Sequence, residues 1–512
     1  MFHDGWRAAG LLMHPSALFS QYGIGDLGPG AHSFIRFLKK AGFHFWQVLP
    51  LTPTSPCLGN SPYSAFSAFA GNPLLVSPEL MVRDGWLGGD EVRQAEVAPA
   101  DGVDFEKVIG LKSGLIDLAF ERAEKRLEHH SSFQSFCWEK GSWLNDYAFF
   151  VAAKKHFGGG SWVGWPEGLV RRDDDALRHW GSALGRSILK EKFAQYLFFS
   201  QLGELKALMA DAGLGLIGDA AIYVNHDSSD VWSQPWLFQL DEKGRPLNVA
   251  GVPPDYFSKD GQLWGNPLFR WEIHADSGYN WWKHRLWYML NLYDWVRLDH
   301  FRAFAAYWEV PATAETAAFG RWRTGPGADL FEAASERGPL NIVAEDLGLI
   351  THDVTALRLK FGYPGMRVLQ FAFGPEMGIN IHAPYRIEVD NVVYAATHDN
   401  NTTRGWYRQE ADELVKKQLS DLCGPEVGED EAAWALIRLA WLSPGFLAVA
   451  TAQDLLNLDE RARFNTPGTA IGNWAWRLSG PDRLNDFLAD KVAELGALSG
   501  RDNHRHPNTL TY

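Results

Sequence analysis

One recurring unit constrains this chain more than any other feature. A short, nearly continuous apolar run ends in or beside a polar or acidic residue, and a loop and a helical pattern follow. The runs are Phe45–Pro50, Leu214–Asp219, Trp295–Asp299, Asn341–Glu345, Met366–Phe373, Asn391–Asp399 and Phe446–Thr451. Strands that are apolar on both faces belong to a parallel sheet covered by helices. Between them lie amphipathic patterns such as Phe193, Tyr196, Leu197, Leu205 and Leu208, with Gly213 placed to cap the helix before the next strand. About seven such strands in 512 residues predict a (β/α)8 barrel with insertions, and a doubly wound open sheet is the competing architecture. No internal repeat or Pro/Ser-rich linker divides the chain, so residues 1–512 read as a single catalytic barrel domain. The helical, Glu-, Lys- and aromatic-rich stretch from about 80 to 190 reads as an inserted subdomain, and Arg501–Tyr512 as a polar tail.

Charge and cysteine usage remove whole classes of function. The 62 acidic residues outweigh 48 basic ones for a net charge of −14, which repels a phosphate backbone or an anionic bilayer, so neither nucleic acid nor membrane is an expected partner. The most apolar stretch, Leu439–Ala452, is broken by Ser443-Pro444-Gly445 and is too short to span a bilayer. Met1–Gly10 lacks the basic and apolar regions of a secretory signal. Cys57, Cys137 and Cys423 are odd in number and far apart, which suggests neither a disulfide framework nor a thiolate metal site and points to a reducing cytoplasm. Tryptophan is unusually abundant, 23 residues against 15 tyrosines. Most of these fill a core, yet a flat apolar face with one N–H donor also suits a groove that binds sugars.

The acidic residues at strand ends carry the chemistry. Asp219, Asp299, Glu345 and Asp399 each close an apolar run, and barrel active sites form where the C-terminal ends of strands converge. Alternation along a strand puts Arg297 on the side of Asp299, and Thr397 on the side of Asp399. A guanidinium keeps its neighbouring carboxylate ionised, as a nucleophile requires. Glu345 follows Ile342-Val343-Ala344, an apolar setting that raises a carboxyl pKa. One charged and one protonated carboxyl is the division of labour of a retaining glycosidase. Against this stands helix capping, which an Asp after a strand often performs. Asp219 and Asp299 are open to that reading, and Asp346 is assigned the cap beside Glu345. His398 is either a buried, hydrogen-bonded histidine or a donor to a substrate hydroxyl.

Gly23-Ile24-Gly25-Asp26-Leu27-Gly28 matches a dinucleotide fingerprint, but the preceding residues make a poor strand and no ribose-binding acid follows at the right distance. No nucleophile elbow, zincin, Walker or EF-hand motif is present, so no cofactor and no metal is expected.

The motifs as a set resemble the 4-alpha-glucanotransferases (amylomaltases) of glycoside hydrolase family 77. They run from Tyr22–Gly28 through Trp46–Pro50, Ser61–Pro73, Pro253–Phe257, Gly261–Pro267, Arg297–Arg302, Ala344–Gly348 and Thr397–Asn400 to Asn473–Arg477. The resemblance implies an α/β fold, a (β/α)8 barrel with inserted, mainly helical subdomains and no C-terminal β domain. It implies Asp299 as nucleophile, Glu345 as general acid/base and Asp399 as transition-state stabiliser. Arg297, His398 and Asp219 are the implied supports at the reacting sugar, Tyr63 its stacking platform, and Tyr256 and Trp264 the lining of neighbouring subsites. The implied partners are α-1,4-glucans, with maltooligosaccharides as donors and glucose among the acceptors. Two other functions use the same features: an α-glucan hydrolase with these carboxylates, and a non-catalytic glucan-binding protein.

Overall fold

A computed structural model describes residues 6–254, 259–469 and 471–502. Eight parallel strands close into a barrel: β1 (Ala8–Leu12), β2 (Phe45–Gln47), β3 (Gly215–Ala220), β4 (Trp295–Leu298), β5 (Ile342–Ala344), β6 (Gly365–Val368), β7 (Asn391–Tyr394) and β8 (Leu447–Thr451). Each strand pairs with its sequence neighbours, and β1 pairs with β8 from Ala8 opposite Leu447 to Leu12 opposite Thr451. The open-sheet alternative is therefore excluded. Seven of the strands lie in the apolar runs. The eighth, β1, is the segment Ala-Ala-Gly-Leu-Leu, whose small residues and lack of β-branched or aromatic side chains give no strand signal.

The strands are buried on both faces because helices pack around them: Pro29–Lys40, Gly185–Asp211, Asn280–Leu292, Gly327–Ala334, His352–Lys360, Ala432–Leu442 and Asp486–Ser499. Between β6 and β7 the connection is made of 3₁₀ turns rather than an α-helix. The helix Gly185–Asp211 ends as its sequence suggests, with Gly213 in the left-handed region at φ +72°, a conformation that costs glycine nothing. Phe193, Leu197 and Leu205 are buried on it, whereas Leu208 is exposed and Met209 takes the inward position.

Residues 78–183 hold further helices, the longest being Phe105–Leu127. A second sheet has no counterpart in the sequence reading. Its four antiparallel strands run in the order Gln262–Pro267, Asn248–Val252, Ala306–Pro311, Arg321–Thr324. The loops after β3 and β4 supply two strands each, so the sheet stands beside the C-terminal ends of those strands. Arg321–Thr324 is exposed throughout, which leaves no apolar pattern to reveal it.

The expected tail begins with a structural residue. Arg501 is fully buried and donates to the carbonyls of Ala8, Trp441, Ser443, Gly445 and Phe446 at 2.5–3.1 Å. It joins the start of β1 to the entry of β8. Backbone carbonyls left over at the seam would be costly if buried without a donor. One guanidinium, with five N–H groups, reaches all five, sharing Trp441 O with Arg7 and Phe446 O with the N–H of Ala8.

Candidate active site

At the strand ends, Asp219 is tied by hydrogen bonds to Arg297 and Tyr63, and Asp299, Glu345 and Asp399 follow β4, β5 and β7. Asp219 lies within β3, not after it, and its carboxylate is completely buried. Arg297, on the neighbouring β4, donates from Nη1 to both oxygens of Asp219 at 2.9 Å. Its Nη2 lies 2.8 Å from Oδ1 of Asp299, one residue beyond the strand. The expected pairing of Arg297 with Asp299 is therefore present, and the same guanidinium also neutralises Asp219. Neither aspartate caps a helix. The backbone N–H of Asp299 donates to Ala220 O at 3.0 Å, which locks the end of β4 to β3.

Glu345 follows β5 directly. Its Oε2 accepts from the backbone N–H of His300 at 2.7 Å, and its Oε1 from that of Leu347 at 2.7 Å. The His300 bond requires a left-handed backbone at φ +49°, which is uncommon for a residue with a Cβ and found preferentially at functional sites. Burial, reinforced by the charge of Asp299, pushes the Glu345 carboxyl up to about 8. Burial also pushes His300 down to about 4, so its ring is neutral around pH 7. Trp264, from the second sheet, meets that ring edge-on with centroids 4.8 Å apart and is itself partly exposed.

Asp346 is not the expected helix cap. Its Oδ1 accepts from Met366 N at 2.7 Å, and Arg358 and Arg367 lie beside it at 3.5 and 3.4 Å. It joins β5 to β6, where only one pair of residues is in register, and the next helix does not start until His352.

Asp399 lies past the end of β7, which stops at Tyr394. Strand alternation therefore does not set its direction. A turn does: Asp399 N donates to Thr397 Oγ1 at 3.3 Å, and Thr397 donates to Asn400 Oδ1 at 2.8 Å. The Asp399 side chain is 44% exposed, so it faces the open end of the barrel. His398 Nε2 lies 3.3 Å from Asp399 Oδ2 and 2.8 Å from the hydroxyl of Tyr63. Tyr63 donates its one hydroxyl hydrogen to Asp219 Oδ2 at 2.7 Å. It therefore accepts from His398, whose proton sits on Nε2. The Tyr63 and His398 rings stack at 5.2 Å and 14°. Tyr256 lies outside the described residues.

Three contributors were not legible as site residues. Asn465 donates to Asp399 Oδ1 at 2.7 Å. Arg463 donates to the Asp399 carbonyl at 2.9 Å and to the Asn465 carbonyl at 2.8 Å. Trp474, left-handed at φ +64°, lies against both Tyr63 and His398 with centroids 5.9 and 6.2 Å away. All three come from the loop after β8, more than 60 residues from Asp399, and no spacing in the sequence links them to it. Among the described residues, no group of three or more His, Cys, Asp or Glu side chains could hold a metal ion. No described helix is long and apolar enough to cross a membrane.

Comparison with known proteins agrees with this geometry. A family model described as 4-alpha-glucanotransferase (Glyco_hydro_77) matches residues 13–484. The chain belongs to glycoside hydrolase family 77. Its reaction is that of the 4-alpha-glucanotransferases, and this sets aside a hydrolase or a non-catalytic glucan binder as its primary role. The 4-alpha-glucanotransferase of Synechocystis is 43% identical over 502 residues, covering 97% of this chain and 98% of that protein. The Thermus thermophilus 4-alpha-glucanotransferase is 45% identical, covering 92% and 95%. The amylomaltase of Streptococcus agalactiae, solved with acarbose, superposes with a TM-score of 0.93 at 34% identity, covering 97% of this chain and all of that one.

Proposed function

We propose that this chain transfers segments of α-1,4-glucans to the 4-hydroxyl of an acceptor glucan or glucose by double displacement with retention. Asp299 attacks the anomeric carbon while Glu345 protonates the departing oxygen, giving a β-linked glucosyl enzyme. Glu345, now a carboxylate, takes the proton of the incoming 4-hydroxyl, and the second displacement restores the α linkage. Asp399 stabilises the oxocarbenium-like transition states, and Asp219, Arg297, Tyr63 and His398 hold the reacting sugar.

The observation that carries this reading is the unequal treatment of two neighbouring carboxyls. Asp299 has a guanidinium at 2.8 Å and is partly open to water. Glu345 is buried, receives only two backbone N–H groups and is held up to about 8. Near neutral pH one is the nucleophile and the other retains its proton, as the first displacement requires. Transfer prevails over hydrolysis when the acceptor sugar is bound and oriented better than water, an effective-molarity advantage to which Trp264 and the second sheet contribute. The similarity to an amylomaltase solved with acarbose supports α-glucans as partners, and three free cysteines support a cytoplasmic setting.

Incubation with maltotriose tests the proposal. Transfer yields glucose together with a ladder of longer oligosaccharides. Glucose and maltose alone would show that water is the acceptor and overturn it.

A further inference from the structure

Asp454 is an ionisable side chain with no exposure and no role in the reaction as described. It lies in the short helix Ala452–Leu455 immediately after β8. Its Oδ1 accepts from Thr403 N at 2.6 Å, its Oδ2 accepts from Thr403 Oγ1 at 2.9 Å, and its own N–H donates to Thr451 Oγ1 at 3.1 Å. Among the described residues no cation is paired with it. A buried carboxylate that lacks a counter-charge is expensive, and the cost appears as a carboxyl pushed up to about 6 by burial despite the two hydrogen bonds it accepts from Thr403.

An amide or hydroxyl would close an ordinary turn here at lower cost. What the carboxylate adds is two acceptors in one plane, both spent on one residue of the neighbouring loop. Thr403 is fully buried and follows the turn Thr397–Thr402 that carries Asp399. Gln370, beyond β6, completes the grip by donating to the Asn401 carbonyl at 3.0 Å and to Thr403 Oγ1 at 3.2 Å. The Thr403 hydroxyl thus receives one hydrogen and gives one, so its orientation is unique. The exposed half of the turn, with Asp399, is held from the other direction by Arg463 and Asn465.

We propose that Asp454 is a positioning residue for Asp399: by fixing both polar groups of Thr403 it sets the base of the turn from which Asp399 reaches the substrate. This rests on the transition-state role given to Asp399 above. A displacement of about 1 Å in a stabilising charge is enough to cost roughly a hundredfold in rate, while the ground-state sugar, bound mainly by other groups, is affected little.

The test compares Asp454→Asn and Thr403→Val with the parent enzyme and repeats both changes in an Asp399→Asn background. An α-maltosyl fluoride donor keeps the slow variants measurable. Thermal melts confirm the folded fraction, and Thr403→Val, which leaves the buried carboxylate its backbone bond, provides a second route if Asp454→Asn folds poorly. The expected result is a fall in kcat of at least fivefold with KM within threefold, and no further fall when Asp399 has already been changed. A smaller fall in kcat, or an equal fall in the Asp399→Asn background, overturns the proposal. Undiminished turnover by Asp399→Asn alone would overturn the role assigned to Asp399 itself, and this inference with it.

Discussion

The hydroxyl of Tyr63 and the carboxylate of Asp219 stand 2.7 Å apart across 156 positions of sequence. Burial and the Asp219 charge hold the phenol well above its ordinary pKa, so it remains a donor at any working pH. Tyr63→Phe would keep the ring stacked on His398 and leave two buried polar groups each one partner short. Such orphaning costs about 1–3 kcal/mol. We expect kcat/KM to fall about 10- to 100-fold with little loss of fold, as measured by initial rates on maltotriose and a thermal melt.

The elevated Glu345 carboxyl gives two pH-dependent consequences. The first displacement needs Glu345 protonated, so kcat/KM should decline as pH rises through about 8. The folded-state value lies above that of an unfolded glutamate. Folding is therefore unpenalised below the unfolded value of about 4.3, and stability is lost as pH climbs from there towards 8. Glu345→Gln, which cannot ionise, should be inactive, and its Tm relative to the parent enzyme should be higher at pH 9 than at pH 5. A relative Tm that does not change with pH would contradict the assignment.

Arg297 serves two carboxylates with one planar group, a task for which lysine has neither the reach nor the geometry. Arg297→Lys should lower kcat by about 100-fold. Arg297→Met, which leaves Asp219 buried without a counter-charge, should cost about 3–5 kcal/mol of stability. Denaturant titration and steady-state rates separate the two effects.

Much of the site was legible in the sequence because strand ends are short-range information. Arg297 with Asp299, and Glu345 after its apolar run, follow from alternation and from where the strands stop. For Asp399 the strand-alternation argument does not hold: β7 ends at Tyr394, and a turn rather than the pleat aims the carboxylate. Asp346 was misread because an acid after a strand suggests a local cap, whereas its partners lie on β6 and in the last turn of the helix His352–Lys360. The least legible groups, Asn465, Arg463, Trp474 and Asp454, all follow β8 and act on the turn after β7. The direct pairing of β7 with β8 makes those loops neighbours, and no local spacing shows which of their residues meet. The second sheet escaped for a related reason, since its strands come from two different loops and one of them is wholly exposed.

Arg501 bears on stability rather than on chemistry. Arg501→Ala would take a donor from five seam carbonyls, of which Trp441 O keeps Arg7 and Phe446 O keeps the N–H of Ala8. We expect a loss of about 3 kcal/mol or more, seen as a lower denaturation midpoint, with kcat of the folded enzyme essentially unchanged.

The seam between β1 and β8 also bears on how this protein is made. A ribosome exposes Ala8–Leu12 hundreds of residues before the strand that must lie beside it, and the arginine that fastens both comes later still. The ring cannot close before Leu447–Thr451 has been made, and until then the edge of β1 that will face it is available for pairing with other chains.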